Sequence, residues 1–563
     1  MEVVVGCIRQ GPTLQTAEPA IARSSLSFAS LREFRRRNLH ALLVLACAAI
    51  TRTFYLIALK PTWCPDSVTY TTACSLWATH FFTDGARTPL YPLLLGFVQA
   101  LAGVPAISSL HPTAGHILVF LQSLLGVISC CLLHSMLTML QVRPRIALAA
   151  SLFYAVLYAP PMYEQAVLTE SLSLFFLVLV AWLVIDLSCR IHRGERVAPA
   201  AMITGFVLGC SILARPENVI VALAICLVGL IVAVRAYLLP GGRRLADEVV
   251  KSGVLIVVCV APLVLGWMTI NYLGVGQFRL TTMTGWQMSQ AVYNLWDKVD
   301  PEDRVLGDIL SRSYARRGEG NRGDRRDHFW LAFDELTRRS HELPIDSLAQ
   351  GPPHGGIQGW LYSIPSETSR VYTHRFTAGA PIRPSATLKT PNNVGDYIGV
   401  VSRKLMWKYP GVWLRNAFTS FLGTFNFEYW QPWDTHPVAV SGGSVIRFHG
   451  LWRFAIWIDR VQAPILTMMY CVTLGFGVIG FIAILRGNRA ADVIRLALVV
   501  PLAIGTLGTM TAYCLLAGYD PRYSVPHLGT IVLCNALIIE LALRALKRRS
   551  ISTETAARIP VGC

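Results

Sequence analysis

Three arginines lie alone at the edges of apolar stretches of the chain. Arg87 occurs in GARTPLYP, Arg215 in LARPEN and Arg522 in YDPRYS. A fixed cation beside an apolar segment is costly, so such a residue usually has a function. The planar guanidinium group offers several donors that match the oxygens of a phosphate. The three arginines therefore predict a site that binds a phosphate group.

Two acidic residues occupy similar positions. Asp66 follows the first apolar stretch, in KPTWCPDSVTY, and Glu170 opens a later one, in VLTESLSLFF. A partly desolvated carboxylate binds a proton more readily, and such a group can act as a general base toward a hydroxyl. We expect Asp66 to be that base. The alternatives are a turn aspartate for Asp66 and a helix-capping acid for Glu170.

The arginines also have simpler interpretations. Arg87 can extend from an apolar segment toward lipid head groups. Arg215 can pair with Glu217, and Arg522 can pair with Asp520. Few other cations occur on the side of the membrane where Arg87 is expected, which favours a functional role for it. For Arg215 and Arg522 both interpretations stay open.

The composition indicates a membrane protein. Hydrophobic residues make up 53% of the 563 positions and charged residues only 15%, against about 25% charged residues in soluble proteins. A helix needs ~20 apolar residues to cross a bilayer. The pattern predicts an all-α polytopic protein with about ten transmembrane helices, of which the third and fifth are short and open to being tilted, broken or partly re-entrant. The predicted spans are 39–59, 116–139, 146–160, 167–188, 198–214, 217–239, 250–272, 462–485, 493–516 and 525–545.

The basic residues of the short loops predict the orientation of these spans. The side expected to be cytoplasmic carries Arg32, Arg35, Arg36, Arg37, Arg143, Arg145, Arg190, Arg193, Arg196, Arg235, Arg243, Arg244, Arg486, Arg489, Lys547, Arg548 and Arg549. The short loops of the opposite side carry only Lys60 and the three arginines named first. Both termini are therefore expected in the cytoplasm. The loop 273–461 is rich in arginine and still predicted to face outward, because loops longer than about 60 residues largely escape this rule.

The predicted spans divide the chain into five segments. Within the first outward loop, SVTYTTACSLWATHFF predicts a helix along the membrane surface. Within the second, the stretch 409–427 is apolar enough to touch the bilayer. The segments are a cytoplasmic lead at 1–38, a seven-helix catalytic core at 39–272 with the outward loop 60–115, a large outward loop of α or α/β structure at 273–461, three transmembrane helices at 462–545 and a cytoplasmic tail at 546–563.

The net charge of +17 does not predict a nucleic-acid partner. Much of it comes from the basic loops that set the topology, and the rest, notably 312–327, is typical of a solvated loop surface or one that touches anionic lipid. Cys64 and Cys74 share the first outward loop. A disulfide between them is one of two equally open predictions, because sequence does not show whether their geometry permits it.

Taken together, these motifs resemble a known family. In order they are Asp66 with Tyr70 four residues on, Arg87 to Pro92, Thr169-Glu170, Arg215-Pro216 and Asp520 to Tyr523. This order is similar to that of the polytopic glycosyltransferases with the GT-C fold. The specific likeness is to the bacterial relatives of protein O-mannosyltransferase and of aminoarabinose–lipid A transferase, glycosyltransferase family 39-like enzymes.

The resemblance implies an inverting transfer of a sugar from a polyprenyl-phosphate donor to a hydroxyl or amine of a glycan, lipid or protein. The enzyme would be a multi-pass protein of the bacterial inner membrane, with its large loop in the periplasm and its site on the outer face. Asp66 would be the catalytic base or the acid that positions the acceptor, and Arg87, Arg522 and Arg215 would hold the phosphate, where charge develops on the leaving group. The supporting residues would be Glu170, Glu164, Tyr70, Tyr91, Asp520 and Tyr523.

The chain also departs from the family pattern. Ser67 and Ala86 stand where many relatives have a second acid. Since hard cations need several oxygen ligands, a divalent metal is doubtful and no cofactor is expected. Two other functions remain open, a transporter or flippase of a lipid-linked substrate and an enzyme similar to O-antigen ligases or polymerases. The sequence does not indicate which sugar or which acceptor is used.

Overall fold

A computed structural model of the chain describes residues 28–64, 66–80, 87–105, 110–238, 242–275, 277–281, 284–315, 391–423, 438–442, 444–486, 491–516 and 521–557. These residues are mainly helical, with one pair of two-residue strands. In chain order the elements are α1 (Phe28–Ala58), β1 (Thr62–Trp63), α2 (Ser67–His80), α3 (Leu90–Leu101), α4 (Pro112–Met139), α5 (Pro144–Ala155), α6 (Ala159–Glu164), α7 (Glu170–Arg193), α8 (Ala198–Ala214), α9 (Asn218–Tyr237), α10 (Arg243–Val275), α11 (Thr284–Ala291), α12 (Arg304–Ala315), α13 (Pro391–Lys408), α14 (Pro410–Gly423), β2 (Val438–Ala439), α15 (His449–Arg486), α16 (Ala491–Leu516) and α17 (Leu528–Ala557).

Within the part of the chain that the structure describes, seven helices are long and apolar enough to cross a membrane, as expected of a multi-pass protein. Three shorter apolar helices join them, Leu90–Leu101, Ala198–Ala214 and Val500–Leu516. The prediction of an all-α polytopic fold is therefore confirmed. The seven long segments are Asn38–Ala58, Pro112–Met139, Glu170–Arg193, Asn218–Tyr237, Arg243–Leu273, His449–Ile482 and Ser524–Lys547.

The third predicted span, 146–160, is not one continuous helix. α5 ends at Ala155 and α6 begins at Ala159, with two prolines in its first turn. Proline lacks a backbone N–H, and the residue before it disfavours helical geometry. Pro160 and Pro161 therefore account for the break, which the shortness of this stretch had left open. α3 is a further apolar helix, outside the ten predicted spans.

α7 lies at the centre of the bundle and α10 at its edge. In α7, 61% of the most apolar window is buried, against 11% in α10. α7 packs against α4, α8 and α17. α8 packs very close to α10 at Gly205. A Cβ atom at this position would lie only 2.6 Å from the backbone oxygen of Ile256, so a larger residue would not fit. The loops that precede α7 and follow α8 are therefore held by the most enclosed part of the fold.

The described part of the large loop forms a helical unit with its own core. Trp296, Leu306 and Ile398 are each no more than 1% exposed within that core. α14 packs on the end of α16, where the Trp413 indole donates to the backbone oxygen of Leu515 at 2.8 Å. α14 lies within the stretch 409–427, which the sequence predicts to touch the bilayer. The helical unit is thus joined directly to a membrane-spanning segment.

The two strands join the chain that follows α1 to the chain that precedes α15. β1 pairs antiparallel with β2, with Thr62 opposite Ala439 and Trp63 opposite Val438. The strand pair lies only a few residues before Asp66. It therefore fixes the chain that leads into the candidate site.

Cys64 and Cys74 are both buried, and neither takes part in a disulfide among the described residues. The disulfide that the sequence left open is therefore not formed. The Cys74 sulfur instead packs toward α3, where a Cβ atom at Gly96 would lie 3.5 Å from it. Burial raises the pKa of the Cys74 thiol to about 11, so this thiol stays protonated near neutral pH.

Candidate active site

A cavity of about 510 Å³ opens where several helices begin or end on one side of the bundle. The turns from α8 to α9 and from α1 to α2 contribute to it, as do the start of α7 and the end of α16. The lining includes the charged residues Asp66, Arg87, Glu170, Arg215, Glu217 and Arg279; the neutral polar residues Tyr70, Thr169, Thr281, Thr284, Gln287 and Tyr513; and the apolar residues Val219, Ile220, Met268, Phe278, Leu280 and Leu516.

Asp66 lies in the turn that opens α2, and Ser67 fixes this turn. The Ser67 hydroxyl accepts from the backbone N–H of Cys64 at 2.9 Å and donates to the backbone oxygen of Val167 at 2.8 Å. Ser67 is fully buried, whereas the Asp66 side chain is 16% exposed. The turn is therefore rigid below the carboxylate and open toward the cavity. This gives a physical role to Ser67, one of the two positions at which the chain departs from the family pattern that its motifs resemble.

Arg87 faces Asp66 across the cavity wall. Its Nη2 lies 3.2 Å from Asp66 Oδ1, its Nε donates to the Thr69 hydroxyl at 2.7 Å, and its Nη1 donates to the Tyr70 hydroxyl at 3.3 Å. The guanidinium also lies over the Tyr70 ring, 4.5 Å from the centroid, a favourable cation–π arrangement. The Arg87 side chain is 19% exposed. Arg87 is thus oriented by the Asp66 carboxylate and by the Thr69 and Tyr70 hydroxyl groups, and its guanidinium is partly exposed at the cavity.

Tyr70 connects this part of the site to the next one. Its hydroxyl lies 3.2 Å from the Thr169 hydroxyl, and its ring packs edge-on against Tyr91, with 5.1 Å between centroids. Burial raises the pKa of Tyr70, so its hydroxyl stays neutral. Tyr70 therefore fixes the distance between the Arg87 side and the start of α7.

Arg215 lies between two carboxylates. Its Nη1 is 3.0 Å from Glu170 Oε1, its Nε pairs with Glu217 Oε1, and its Nη2 donates to the Tyr513 hydroxyl at 3.4 Å. Arg215 follows the last residue of α8, while Glu170 and Glu217 lie at the starts of α7 and α9. Each charge therefore also suits the dipole of its helix. The alternative interpretation of Arg215, a pair with Glu217, is part of this geometry.

The electrostatics of this trio favour a permanent ion cluster. Burial by itself would lower the pKa of Arg215, but Glu217 and Glu170 raise it well above its ordinary value. Burial would raise the pKa of Glu217, but Arg215 lowers it below the ordinary value. The Arg215 and Glu170 side chains are only 8% and 3% exposed. The cluster is thus charged and largely shielded from solvent.

Arg279 is a cavity residue that sequence reasoning did not single out. The backbone oxygen of Arg279 accepts from the Asn271 amide at 2.7 Å, and the oxygen of Leu280 accepts from the Trp267 indole at 3.1 Å. Both donors are buried in α10. They hold the short loop at the cavity mouth, and the Arg279 side chain is exposed there. The available signal was its position directly after the seventh span, on the same side as Arg87.

The structure brings together Asp66, Arg87, Glu170 and Arg215, along with Tyr70. Two predicted supporting residues do not line the cavity. Glu164 is buried in an ion pair with Arg52 at 3.1 Å, and Tyr91 is fully buried with its hydroxyl donating to Gln122 at 3.2 Å. Sequence position alone does not show where a side chain points, which is why both were assigned to the site.

The last predicted motif is described only in part. Asp520 lies outside the described residues. The backbone of Arg522 and Tyr523 belongs to the 3₁₀ turn Pro521–His527, which packs against α7. Since α7 begins at Glu170, this turn lies beside the cavity wall. The role of Arg522 stays a prediction.

Among the described residues, one group of three carboxylates has its oxygens close enough to one another to hold a metal ion. The group lies in the helical unit of the large loop. It consists of Asp300, Glu302 and Asp303. Lys404 lies 2.8 Å from Glu302 and 3.2 Å from Asp303, and Lys408 lies 2.8 Å from Asp300. Because lysines already neutralise these acids, the group is better explained as a set of ion pairs than as a metal centre.

Several solved structures of glycosyltransferases are similar to this chain. The protein O-mannosyltransferase complex of S. cerevisiae bound to its sugar donor is 16% identical, with a TM-score of 0.34, over 44% of this chain and 36% of that one. The oligosaccharyltransferase of Archaeoglobus fulgidus matches in its apo form at 12% identity and a TM-score of 0.43, and in complex with an inhibitory peptide and a dolichol-phosphate at 10% and 0.44.

The two archaeal matches cover 93% of this chain, which spans about half of their length, 53% and 52%. Neither a family model nor a curated protein matches the chain. The likeness to such glycosyltransferases that the motifs predicted is confirmed. Because every TM-score given is below 0.5, what this chain binds and does must follow from its own residues.

Proposed function

We propose that the protein is an integral membrane glycosyltransferase that moves a sugar from a polyprenyl-phosphate donor to a hydroxyl or amine of an acceptor. The observation that carries the proposal is the Asp66–Arg87 pair at the edge of the cavity, with Oδ1 and Nη2 3.2 Å apart and both side chains partly exposed. This pair supplies a base and a phosphate ligand side by side. Arg215, Glu170 and Glu217 support the wall behind it.

The shape of the cavity suits a lipid-linked sugar. Neutral side chains such as Thr284 and Gln287 offer hydrogen bonds of the kind that sugar hydroxyls make, while Met268, Phe278 and Leu516 offer an apolar side. A donor with a polar head and an apolar tail requires both kinds of surface next to a cation. The Arg279 guanidinium at the mouth adds a second cationic group for the phosphate.

The reaction is a single displacement. The acceptor oxygen attacks the anomeric carbon as the bond from that carbon to the phosphate oxygen breaks, and the configuration inverts. The acceptor proton goes to the Asp66 carboxylate, which acts as general base. Polyprenyl phosphate leaves with the bonding electrons, and Arg87 stabilises the charge that develops on it.

The contact between Arg87 and Asp66 gives the two residues an order of action. Arg87 and Asp66 form an ion pair, and an opposite charge nearby favours the ionised form of a carboxyl group. A donor phosphate is a second anion and competes for the same guanidinium. When Arg87 turns toward the phosphate, the carboxylate becomes available to the acceptor hydroxyl. Donor binding thus precedes activation of the base.

The positive-inside rule supports a location of this cavity on the outer face of the membrane. In sequence, the stretches that connect α4 to α5, α7 to α8, α9 to α10 and α15 to α16 are short and contain or adjoin arginines, as expected of loops on the cytoplasmic side. We place the protein in the bacterial inner membrane, with both termini in the cytoplasm and the large loop in the periplasm. No metal or other cofactor is part of the proposed reaction.

The test is a donor panel. Purified protein in lipid vesicles is incubated with radiolabelled polyprenyl-phosphate sugars and with cell-envelope extract as the source of acceptors, and released polyprenyl phosphate is measured. Release with at least one donor, lost in Asp66→Asn, supports the proposal. No release with any donor, together with movement of the lipid across the vesicle bilayer, would identify a transporter instead.

A further inference from the structure

A buried ion pair lies inside the bundle, apart from the residues that line the cavity. Arg52 belongs to the span Asn38–Ala58, and its Nη2 lies 3.1 Å from Glu164 Oε1. Both side chains are 3% exposed. Removing two charges from water costs several kcal/mol per ion unless geometry and further hydrogen bonds offset it. An ionisable residue within a membrane span therefore calls for a functional explanation.

The pair joins three helices at the break in the third predicted span. Arg52 extends from α1, and its Nη1 donates to the backbone oxygen of Ala155 at 2.7 Å. Ala155 is the last residue of α5, and Glu164 is the last residue of α6. Arg52 thus satisfies a carbonyl at the end of one helix and a carboxylate at the end of the next. This fixes the point at which the chain leaves α6.

Between Glu164, where α6 ends, and Glu170, where α7 begins, the chain has no helical structure. We call the stretch from Glu164 to Glu170 the 164–170 segment. Gln122 of α4 holds its backbone, because its Nε2 donates to the oxygens of Glu164 at 2.8 Å and of Ala166 at 3.0 Å. Gln122 is fully buried. The first half of the segment is therefore held by one ion pair and one amide.

The second half of the 164–170 segment is bonded to the chain that carries Asp66. Thr62 N donates to the oxygen of Gln165 at 2.8 Å, and Val167 N donates to the oxygen of Thr62 at 3.0 Å. The Ser67 hydroxyl then donates to the Val167 oxygen at 2.8 Å. A displacement of the segment would therefore move Asp66, and would also move Glu170, with which the segment ends.

α4 leaves space for the ion pair at one glycine. A Cβ atom at Gly126 would overlap the Glu164 carboxylate, with its Cδ only 2.6 Å away. Elsewhere in a helix alanine is favoured over glycine, which loses more backbone entropy on folding. The glycine at this position is thus explained by the carboxylate that occupies the space.

We propose that the Arg52–Glu164 pair positions residues of the candidate active site, and that Gly126 leaves the space that the Glu164 carboxylate needs. It fixes the 164–170 segment so that Asp66 and Glu170 face the same cavity. Neither Arg52 nor Glu164 lines the cavity, so both act through other residues. This inference deepens the proposed function and rests on it for its effect on catalysis.

The experiment compares Gly126→Ala with Gly253→Ala. Both glycines are helical, but a Cβ atom at Gly253 meets nothing within 4 Å. The first readout needs no activity and measures how fast a maleimide modifies Cys64, by mass spectrometry of its peptide. Cys64 is 1% exposed and lies two residues before Asp66. We expect faster modification in Gly126→Ala and a wild-type rate in Gly253→Ala.

The second readout is the division between kcat and KM. With a donor that the wild type uses, we expect Gly126→Ala to lower kcat at least about tenfold, equivalent to about 1.4 kcal/mol, while the donor KM stays within about threefold, because Arg87 still binds the phosphate. The double variant Gly126→Ala/Glu164→Asp shortens the acid by one methylene group. It should restore much of the lost kcat.

The outcomes separate the two proposals. Absence of transfer by the wild type would overturn the proposed function, and Cys64 modification would still decide whether the pair positions the segment. Unchanged Cys64 modification in Gly126→Ala would overturn the positioning role. A folded Gly126→Ala protein with wild-type kcat would do the same. If the variant does not fold, Glu164→Gln provides the same two readouts without added volume.

Discussion

Two of the arginines that line the cavity, Arg87 and Arg215, are bound in different ways. Arg87 is held by one carboxylate, a threonine hydroxyl and a tyrosine, and its side chain is 19% exposed. Arg215 lies between two carboxylates and is 8% exposed. A ligand phosphate can reach the partly exposed guanidinium of Arg87 more easily than the shielded guanidinium of Arg215, which lies between two carboxylates. Arginine at two helix ends therefore has two different roles. Arg87 can exchange its contact with Asp66 for one with a ligand, whereas Arg215 stabilises the cavity wall.

The largest effect is expected at the carboxylate beside Arg87. Asp66→Asn keeps the size of the side chain but cannot accept the acceptor proton, so the rate of transfer should fall about 10²–10⁴-fold, the usual contribution of a general base. The measurement is the initial rate of polyprenyl-phosphate release in vesicles. Asp308→Asn, on an exposed face of α12, is the matched control. A wild-type rate in Asp66→Asn would show that another group removes the proton.

The next effect tests the ligand role of Arg87. Arg87→Gln removes the charge that stabilises the leaving phosphate, and transfer should fall about 10²–10³-fold. Its melting temperature should stay close to that of the wild type, since partly exposed ion pairs contribute little to stability. Arg87→Lys should recover part of the activity. Arg403→Gln, on the exposed surface of α13, controls for loss of a positive charge.

Arg215 should show the opposite behaviour. Arg215→Gln leaves Glu170 and Glu217 without their shared counter-charge, so the protein should lose about 3–5 kcal/mol of stability. Thermal unfolding of the purified protein, compared with that of Arg87→Gln, measures the difference. If Arg215→Gln unfolds like the wild type and fails to bind donor, the division between exchange and support is wrong.

The smallest effect is expected at the cavity mouth. Arg279→Gln removes one charge-assisted hydrogen bond to the donor, worth roughly 1.5–3 kcal/mol. The donor KM should therefore rise about tenfold or more while kcat stays near the wild-type value. A fall in kcat with no change in KM would show that Arg279 acts on the reaction and not on binding.

The convergence of residues on the cavity followed from the sequence because helices alternate in direction. Asp66, Arg87, Glu170 and Arg215 each lie where an apolar segment begins or ends. An odd number of predicted spans precedes each of them, so all four are expected on the same side of the membrane. Their roles as base and phosphate ligands stay predictions. Arg279 was missed because it belongs to a long loop in which arginine is common, and loop residues carry no such periodic constraint.

The internal ion pair shows what the sequence pattern did not reveal. Arg52 lies within a predicted span and was passed over, although an arginine inside an apolar segment is itself a signal. Its partner Glu164 was predicted in an outward loop because it falls between the third and fourth predicted spans, 146–160 and 167–188. Only the fold shows that α6 turns inward and that its last residue reaches α1. Pairing between distant segments depends on packing, which no local pattern encodes.

The most direct test of the account is donor binding and turnover in Asp66→Asn and Arg87→Gln, measured side by side in the same vesicles. We expect Asp66→Asn to bind the polyprenyl-phosphate sugar at least as tightly as the wild type does, because the competing carboxylate is gone, and to release no polyprenyl phosphate. We expect Arg87→Gln to lose most of its binding. Wild-type binding and wild-type release by both variants would contradict the assignment of base and phosphate ligand to this cavity.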